Sequence, residues 1–191
     1  STYMQFIPIV ERHAQTQSVT DFSVPSEGYG QFLVDVFHEW YEHDVGKIYV
    51  SQFDNLLGQW LGYPSTTCVH QPTCGQSLVT EANGDVYTCD HFVYPEYKVG
   101  NLTQQPLTEI VLSSKQQQFG LEKSQKLTAL CRHCEFRKLC YGGCPKHRFV
   151  SLENEHNPHN YLCASYRYFF EQTAPYMQAM ARQIRLHPSA A

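Results

Sequence analysis

All eight cysteines of this 191-residue chain lie between residues 68 and 163. They stand at Cys68, Cys74 and Cys89, then at Cys131, Cys134, Cys140 and Cys144, and last at Cys163. The middle four read Cys131-Arg-His-Cys134 and then Cys140-Tyr-Gly-Gly-Cys144-Pro145, a Cys-x2-Cys-x5-Cys-x3-Cys-Pro run. The thiolate is the form of cysteine that binds metals, and thiolates this dense share a centre only when something occupies it. Eight divide into two sets of four, the complement of a [4Fe–4S] cluster or of a structural zinc. The sequence therefore predicts two metal centres.

Three chemistries compete for these thiols. A disulfide framework belongs to oxidising compartments and short secreted chains. This chain shows no signal peptide and no long apolar run. Cysteine is about 4% of residues, below the share of a disulfide scaffold, so a cytoplasmic setting with reduced thiols is expected. Zinc is the stronger rival, because Cys-x2-Cys is its usual ligand pair. Only Cys131 and Cys134 have that spacing, however. Iron–sulfur is favoured by Cys144-Pro145: in two-cluster ferredoxins the cysteine before proline ligates the other cluster. By that logic Cys131, Cys134, Cys140 and Cys163 hold one cluster, and Cys144 crosses over to join Cys68, Cys74 and Cys89.

The ten histidines are not needed as ligands once eight thiolates close two sites. His70, His91, His133 and His147 lie near cysteines because the motif region is short. Asp90 directly follows a ligand, Cys89, and is read either as a surface or capping carboxylate or as a positioned base. Asp85 suits turn chemistry. Gly142 and Gly143 are expected to let backbone approach a cluster closely. Lys146 and Arg148 either donate charge near a sulfide-rich anion or are solvated.

These residues need a frame. Fourteen basic against eighteen acidic residues give a net charge of −4, with no basic stripe of the kind nucleic acid requires. No nucleic-acid or membrane partner is expected. Tyr3 to Val10 reads as a strand buried on both faces, which cannot stand alone, so the chain is expected to be the C-terminal part of a longer protein. Phe32, Leu33, Val36, Phe37, Trp40 and Tyr41 mark a one-sided helix over 27–45. Lys47 to Val50 is a short strand. Ser51 and Asp54 form a capping box opening a helix to Leu61, which Gly62 to Ser65 end. Residues 77–89 predict a hairpin about Asn83-Gly84, with both turn residues at positive φ and Cys74 beside Cys89 across the strand pair. Helices are expected at 106–119, with Pro106 as first helical residue, at 128–139, and over 160–185 with a kink or break at Pro175.

The order and spacing of the cysteines resemble the SPASM domain of radical S-adenosylmethionine enzymes. Gly84 precedes Cys89 as that pattern's Gly-x4-Cys, and the Cys131–Cys144 run matches it throughout. More narrowly, Glu81-Ala-Asn-Gly-Asp-Val-Tyr-Thr-Cys89 with its continuation to Asn101, Gln5-Phe-Ile-Pro-Ile-Val-Glu11 and Cys140-Tyr-Gly-Gly-Cys-Pro-Lys-His-Arg-Phe149 look like anaerobic sulfatase-maturating enzymes. The likeness runs over about residues 2–185. Cys68 completes a four-thiolate set at the first auxiliary cluster.

The resemblance implies an α+β fold: residues 1–63 as the end of a partial (β/α) barrel with linking helices, and 64–191 as a SPASM-type twin-cluster domain with a C-terminal helix. It implies an enzyme oxidising a Cys or Ser of an unfolded sulfatase polypeptide to Cα-formylglycine. S-adenosylmethionine, cleaved at a third [4Fe–4S] cluster, would supply a 5′-deoxyadenosyl radical that takes hydrogen from the substrate Cβ. Asp90 would accept the proton, the two auxiliary clusters the remaining electron, and an electron-donor protein would complete the cycle. The Cys-x3-Cys-x2-Cys loop of the catalytic cluster is absent from these residues, so alone they should not start radical chemistry. The alternative is a non-catalytic, zinc-stabilised protein-binding module. A preparation made in air is expected to hold zinc, disulfides or nothing.

Overall fold

Helix α1 (Gly28–His43) and the long final helix α7 (Cys163–Leu186) pack against each other, and α2 (Ser51–Leu61) packs on the same side of α7. The computed structural model of the protein describes residues 1–187. Of the stripe read from sequence, Leu33, Phe37 and Trp40 of α1 meet Phe53 and Leu56 of α2 and Phe169 and Met177 of α7, Val36 and Tyr41 pack partly buried against them, and Phe32 is exposed. Phe37 is the hub. Its ring lies 5.4 Å from Phe53 and 6.4 Å from Phe169, both edge-on, the orientation that the aromatic quadrupole favours.

The N-terminal strand departs from expectation. Only Tyr3–Met4 (β1) pair, in parallel, with Tyr49–Val50 (β2). Val10 is buried, and Met4 and Phe6 pack against the core, while Ile7 is 70% and Ile9 57% exposed. The segment is covered on one face rather than two. Apolar content alone cannot separate these cases, since both give the same run of residue types.

The capping box before α2 is half formed. Ser51 is the first helical residue, and Asp54 Oδ2 reaches back to accept the Val50 N–H at 2.8 Å. Gly62, at φ 100°, ends α2 as read.

The hairpin is present as β3 (Val79–Thr80) and β4 (Asp85–Tyr87), extended by a strand the sequence did not announce, β5 (Lys98–Asn101), in the order β3-β4-β5. Gly84 takes φ 85°, but Asn83 is not among the positive-φ residues. The Gly84 N–H bonds to Glu81 O and the Glu81 N–H to Asp85 O, both at 2.9 Å. This is a three-residue loop with a left-handed glycine, not a two-residue turn. Val79 faces Tyr87, so Cys74 falls outside the ladder and is not across from Cys89.

The two middle helices are each divided. Leu107–Val111 (α3), with Pro106 as its cap, is followed by Ser114–Gln125 (α4). Ser113 caps α4 by accepting the Gln116 N–H at 3.3 Å. Ala129–Arg132 (α5) and Arg137–Cys140 (α6) replace a single 128–139 helix. A short antiparallel pair, β6 (Arg148–Val150) with β7 (His159–Asn160), leads into α7. Pro175 lies inside α7, which runs unbroken.

Candidate metal centres

Cys68, Cys140 and Cys163 sit at the ends of elements, Cys131 lies within the short helix α5, and Cys74, Cys89, Cys134 and Cys144 lie in connecting segments. Cys68 opens a 3-10 turn, Cys68–His70. The chain before it is fixed by Asn55, whose Oδ1 accepts from Ser65 Oγ at 3.1 Å and from the Thr66 N–H at 2.6 Å. Cys74 is anchored to α4: its N–H donates to Gly120 O at 3.1 Å. A Cβ on Gly120 would come within 2.7 Å of Cys74 O, so the glycine permits that contact. Gln116 Nε2 donates to Gly75 O at 2.6 Å and to Thr88 O at 3.4 Å, tying the residues that flank Cys74 and Cys89. α4 therefore makes the connection that the hairpin was expected to make.

Cys144 follows three consecutive left-handed residues, Tyr141, Gly142 and Gly143, at φ 47°, 71° and 63°. Asn160 Nδ2 holds this turn from below, donating to Gly142 O at 2.9 Å and Cys144 O at 3.2 Å. A Cβ on Gly142 would meet Leu127 and Arg148, and one on Gly143 would meet Asn160. These glycines answer to φ and to protein packing, and Gly142 also lines the cavity of Cys131, Cys134, Cys140 and Cys163.

Cys68, Cys74, Cys89 and Cys144 line one cavity of about 680 Å³ together with Asp90, His91 and part of the N-terminal segment. Cys131, Cys134, Cys140 and Cys163 line a second, of about 260 Å³. Cys131 is placed by Thr128, which caps α5 and accepts its N–H at 3.3 Å. Cys163 is the first residue of α7. All eight thiols are free. Among the described residues no three His, Cys, Asp or Glu side chains crowd closely enough to hold a single metal ion.

The electrostatics follow the same partition. Burial pushes Cys140 up to about 12, with Cys163 and Cys131 adding repulsion. It pushes Cys163 to about 11, with Cys131 and Cys134 adding to it. In the larger cavity burial lifts Cys144 to about 11, with Cys74 and Cys68 contributing, and Cys89 to about 12, with the Asp90 hydrogen bond contributing. Buried thiols of this kind shed their protons only to a cation that replaces them.

Asp90 opens a 3-10 turn, Asp90–Phe92. Its Oδ1 accepts from Cys89 Sγ and from the His91 N–H, both at 3.0 Å. The Cys89 bond is the main cause holding its carboxyl below the ordinary range. His91 Nδ1 lies 3.4 Å from Cys144 Sγ. His133 Nδ1 is 2.9 Å from Ala129 O, and buried His70 packs edge-on to Tyr166 at 5.4 Å. Lys146 turns away to Tyr94 Oη at 3.1 Å and Glu11 at 3.8 Å.

Sequence reasoning missed His159 and Lys123. His159 Nδ1 stands 3.0 Å from Thr128 Oγ1 and 3.7 Å from Cys131 Sγ. Lys123 is 1% exposed, and its Nζ donates to Val69 O at 3.0 Å and to Cys68 O. Neither is near its partner in sequence, and a lysine in a polar helix carries no sign of burial.

Residues 68–135 match the SPASM family, an iron–sulfur cluster-binding domain. The chain is 41% identical over 196 aligned residues to the serine-type anaerobic sulfatase-maturating enzyme of Bacteroides thetaiotaomicron, covering 95% of this chain and 47% of that protein. It is 31% identical to the cysteine-type enzyme of Clostridium perfringens strain 13, covering 96% and 50%. The structure of native anSMEcpe with bound AdoMet and Cp18Cys peptide is similar at a TM-score of 0.82 and 31% identity, over 96% of this chain and 51% of that one. The chain spans about half the length of the curated relatives it matches.

Proposed function

We propose, from the match of residues 68–135 to the SPASM iron–sulfur cluster-binding family, that this chain is the auxiliary-cluster part of a radical S-adenosylmethionine enzyme that oxidises a sulfatase Cys or Ser to Cα-formylglycine. The observation that carries the reading is the division of eight thiols between two cavities, four in each, with none shared. Cys₄ is the usual ligand set of a [4Fe–4S] cluster. A tetrahedral zinc draws its sulfurs to about 2.3 Å from one centre and leaves no cavity among them. Among the described residues no three His, Cys, Asp or Glu side chains crowd closely enough to hold a single ion, which favours a group with volume of its own.

Bound in these cavities, the clusters would supply one-electron acceptors. The remaining work falls to side chains of this chain. Asp90 is the base of the proposal, and Oδ1 or Oδ2 would take the proton of the substrate thiol or hydroxyl as its Cβ is oxidised. A metal-bound Cys89 carries no proton to donate, so Oδ1 would keep only the His91 N–H. Asp90 shares the larger cavity with Phe6, Tyr29 and Gln52, where space beyond the four thiols would admit a peptide side chain. S-adenosylmethionine and a third cluster would bind outside these 191 residues, in a barrel that residues 1–63 complete, and a donor protein would renew the electrons.

The test is Asp90→Asn in the full-length enzyme, which keeps shape and removes basicity. Formylglycine formation should fall by about 10²–10⁴-fold, the usual contribution of a positioned base. Both auxiliary clusters should still assemble, and 5′-deoxyadenosine yield should suffer much less. Near-normal formylglycine formation would demote Asp90 to scaffold.

A further inference from the structure

The residues around the two cavities hold an imbalance of charge. Lys123 is 1% exposed, yet its ammonium meets only the carbonyls of Cys68 and Val69. Partly buried Arg148 lies next to it, donating through Nη1 to Lys123 O at 2.7 Å, through Nη2 to Tyr141 O at 2.7 Å, and through Nε to Gly142 O at 3.1 Å. Among the described residues neither cation is paired with a carboxylate. A buried charge without a counter-ion costs several kcal/mol, and carbonyl dipoles only partly offset that.

The missing counter-charge would come from the cysteines as thiolates, the form in which they bind metal. Lys123 lies within electrostatic reach of Cys74, Cys144 and Cys68, all of the larger cavity. Arg148 reaches Cys131 and Cys140 of one set and Cys74 and Cys144 of the other. Both cations are held by main-chain carbonyls of the segments that carry ligands, Cys68–Val69 and Tyr141–Gly142, so their positions are fixed relative to the sulfurs.

We propose that Lys123 and Arg148 are positioning residues that set the reduction potentials of the clusters, Lys123 acting on the larger site alone and Arg148 on both. The proposal rests on the reading that the cavities hold [4Fe–4S] clusters. One-electron reduction of a thiolate-bound cluster adds one negative charge to an already anionic group, and net charge is among the determinants of its potential. A fixed cation nearby favours the reduced state, most strongly where solvent screening is least. Removing Lys123 therefore makes the larger-site cluster harder to reduce and leaves the other nearly unchanged.

The experiment compares the wild-type full-length protein with Lys123→Met, Lys123→Arg, Arg148→Gln and Arg148→Lys, reconstituted anaerobically and titrated with dithionite under EPR. Cys163→Ala and Cys74→Ala backgrounds assign each signal to its site. Lys123→Met should lower the reduction equilibrium constant of the larger-site cluster at least tenfold, about 59 mV for a one-electron couple, with less than half that shift at the other. Arg148→Gln should lower both. Lys123→Arg and Arg148→Lys, which keep the charge, should stay near wild type. Potentials unmoved in iron-replete Lys123→Met would overturn the proposal. If Lys123→Met loads no iron, Lys123→Arg decides. Loading by the arginine variant upholds the charge role, and failure of both reduces Lys123 to packing. A wild-type protein that takes up zinc in place of iron would instead sink the cluster reading itself.

Discussion

Gly30 and Ser165 meet backbone against side chain where α1 crosses the start of α7. The Gly30 N–H donates to Ser165 Oγ at 2.8 Å, and that hydroxyl donates in turn to Ser26 O at 2.6 Å. A Cβ on Gly30 would lie 2.7 Å from both the Cα and the carbonyl oxygen of Ser165. Ser165 is fully buried, two residues after Cys163, which lines the smaller cavity. The helix crossing that closes the core thus also fixes one wall of the smaller cavity.

Gly30→Ala should destabilise the protein even though alanine is the better helix former. The propensity gain is at most about 1 kcal/mol, while forcing a methyl against backbone typically costs about 1–3 kcal/mol. Ser165→Ala should cost a similar amount, because it strands the Gly30 N–H and Ser26 O in a dry site. Urea melts of both variants check this. A Gly30→Ala protein as stable as wild type would show that the crossing has slack.

A second prediction concerns the hairpin. Asp85 accepts from Asn101 Nδ2 at 2.8 Å and pairs with Lys98, and Lys98 is the main cause holding its carboxyl below the ordinary range. A carboxyl lowered on folding adds stability above its unfolded pKa of about 3.9, and this stability is lost as pH falls through the lower folded value. Lys98→Met should therefore lower the neutral plateau and flatten the acid limb of the stability profile below about pH 4, leaving stability at the acid end little changed. An unchanged acid limb would place the sensitivity elsewhere.

Most of the helical core was legible, because α1 and α2 bury one stripe each and Gly62 stops α2 where a left-handed residue is needed. The expected four-and-four division rests on Cys144-Pro145, and the cysteines line two cavities in the same groups; the turn that parts Cys140 from Cys144, three left-handed residues in a row, leaves no such sign in the sequence. β5 was invisible because Lys98-Val-Gly-Asn101 is short and lacks alternation. The breaks at Ser113 and between Arg132 and Arg137 were hidden for another reason. Helical residue types continue through them, and of the two restarts only α4 has a side-chain cap, at Ser113, while α6 begins after Phe136 with none. The apolar content of Tyr3–Val10 predicts burial throughout, while Ile7 and Ile9 stand exposed.

The 191 residues contain no Cys-x3-Cys-x2-Cys run. Under reducing conditions with S-adenosylmethionine they should form no 5′-deoxyadenosine above a protein-free control, even with both cavities loaded. Chromatography of the nucleoside products decides it, and turnover would mean that one of the two thiol sets can cleave the cofactor.

The assignment of ligands makes the most direct prediction. Anaerobic reconstitution should give about eight irons per chain and charge-transfer absorption near roughly 400 nm, where two bound zincs would be colourless. Cys144→Ala should empty the larger site and Cys163→Ala the smaller, each losing about four irons while the other EPR signal persists. Only three residues separate Cys140 from Cys144, and by proximity alone they should share a cluster. The left-handed turn at Tyr141, Gly142 and Gly143, locked by Asn160, instead delivers them to different cavities. Asn160→Ala releases Gly142 O and Cys144 O, so it should weaken iron retention at the larger site first, and Asn160→Asp, which cannot donate, should do the same. Loss of the smaller-site signal in Cys144→Ala, with the larger intact, would reverse the assignment.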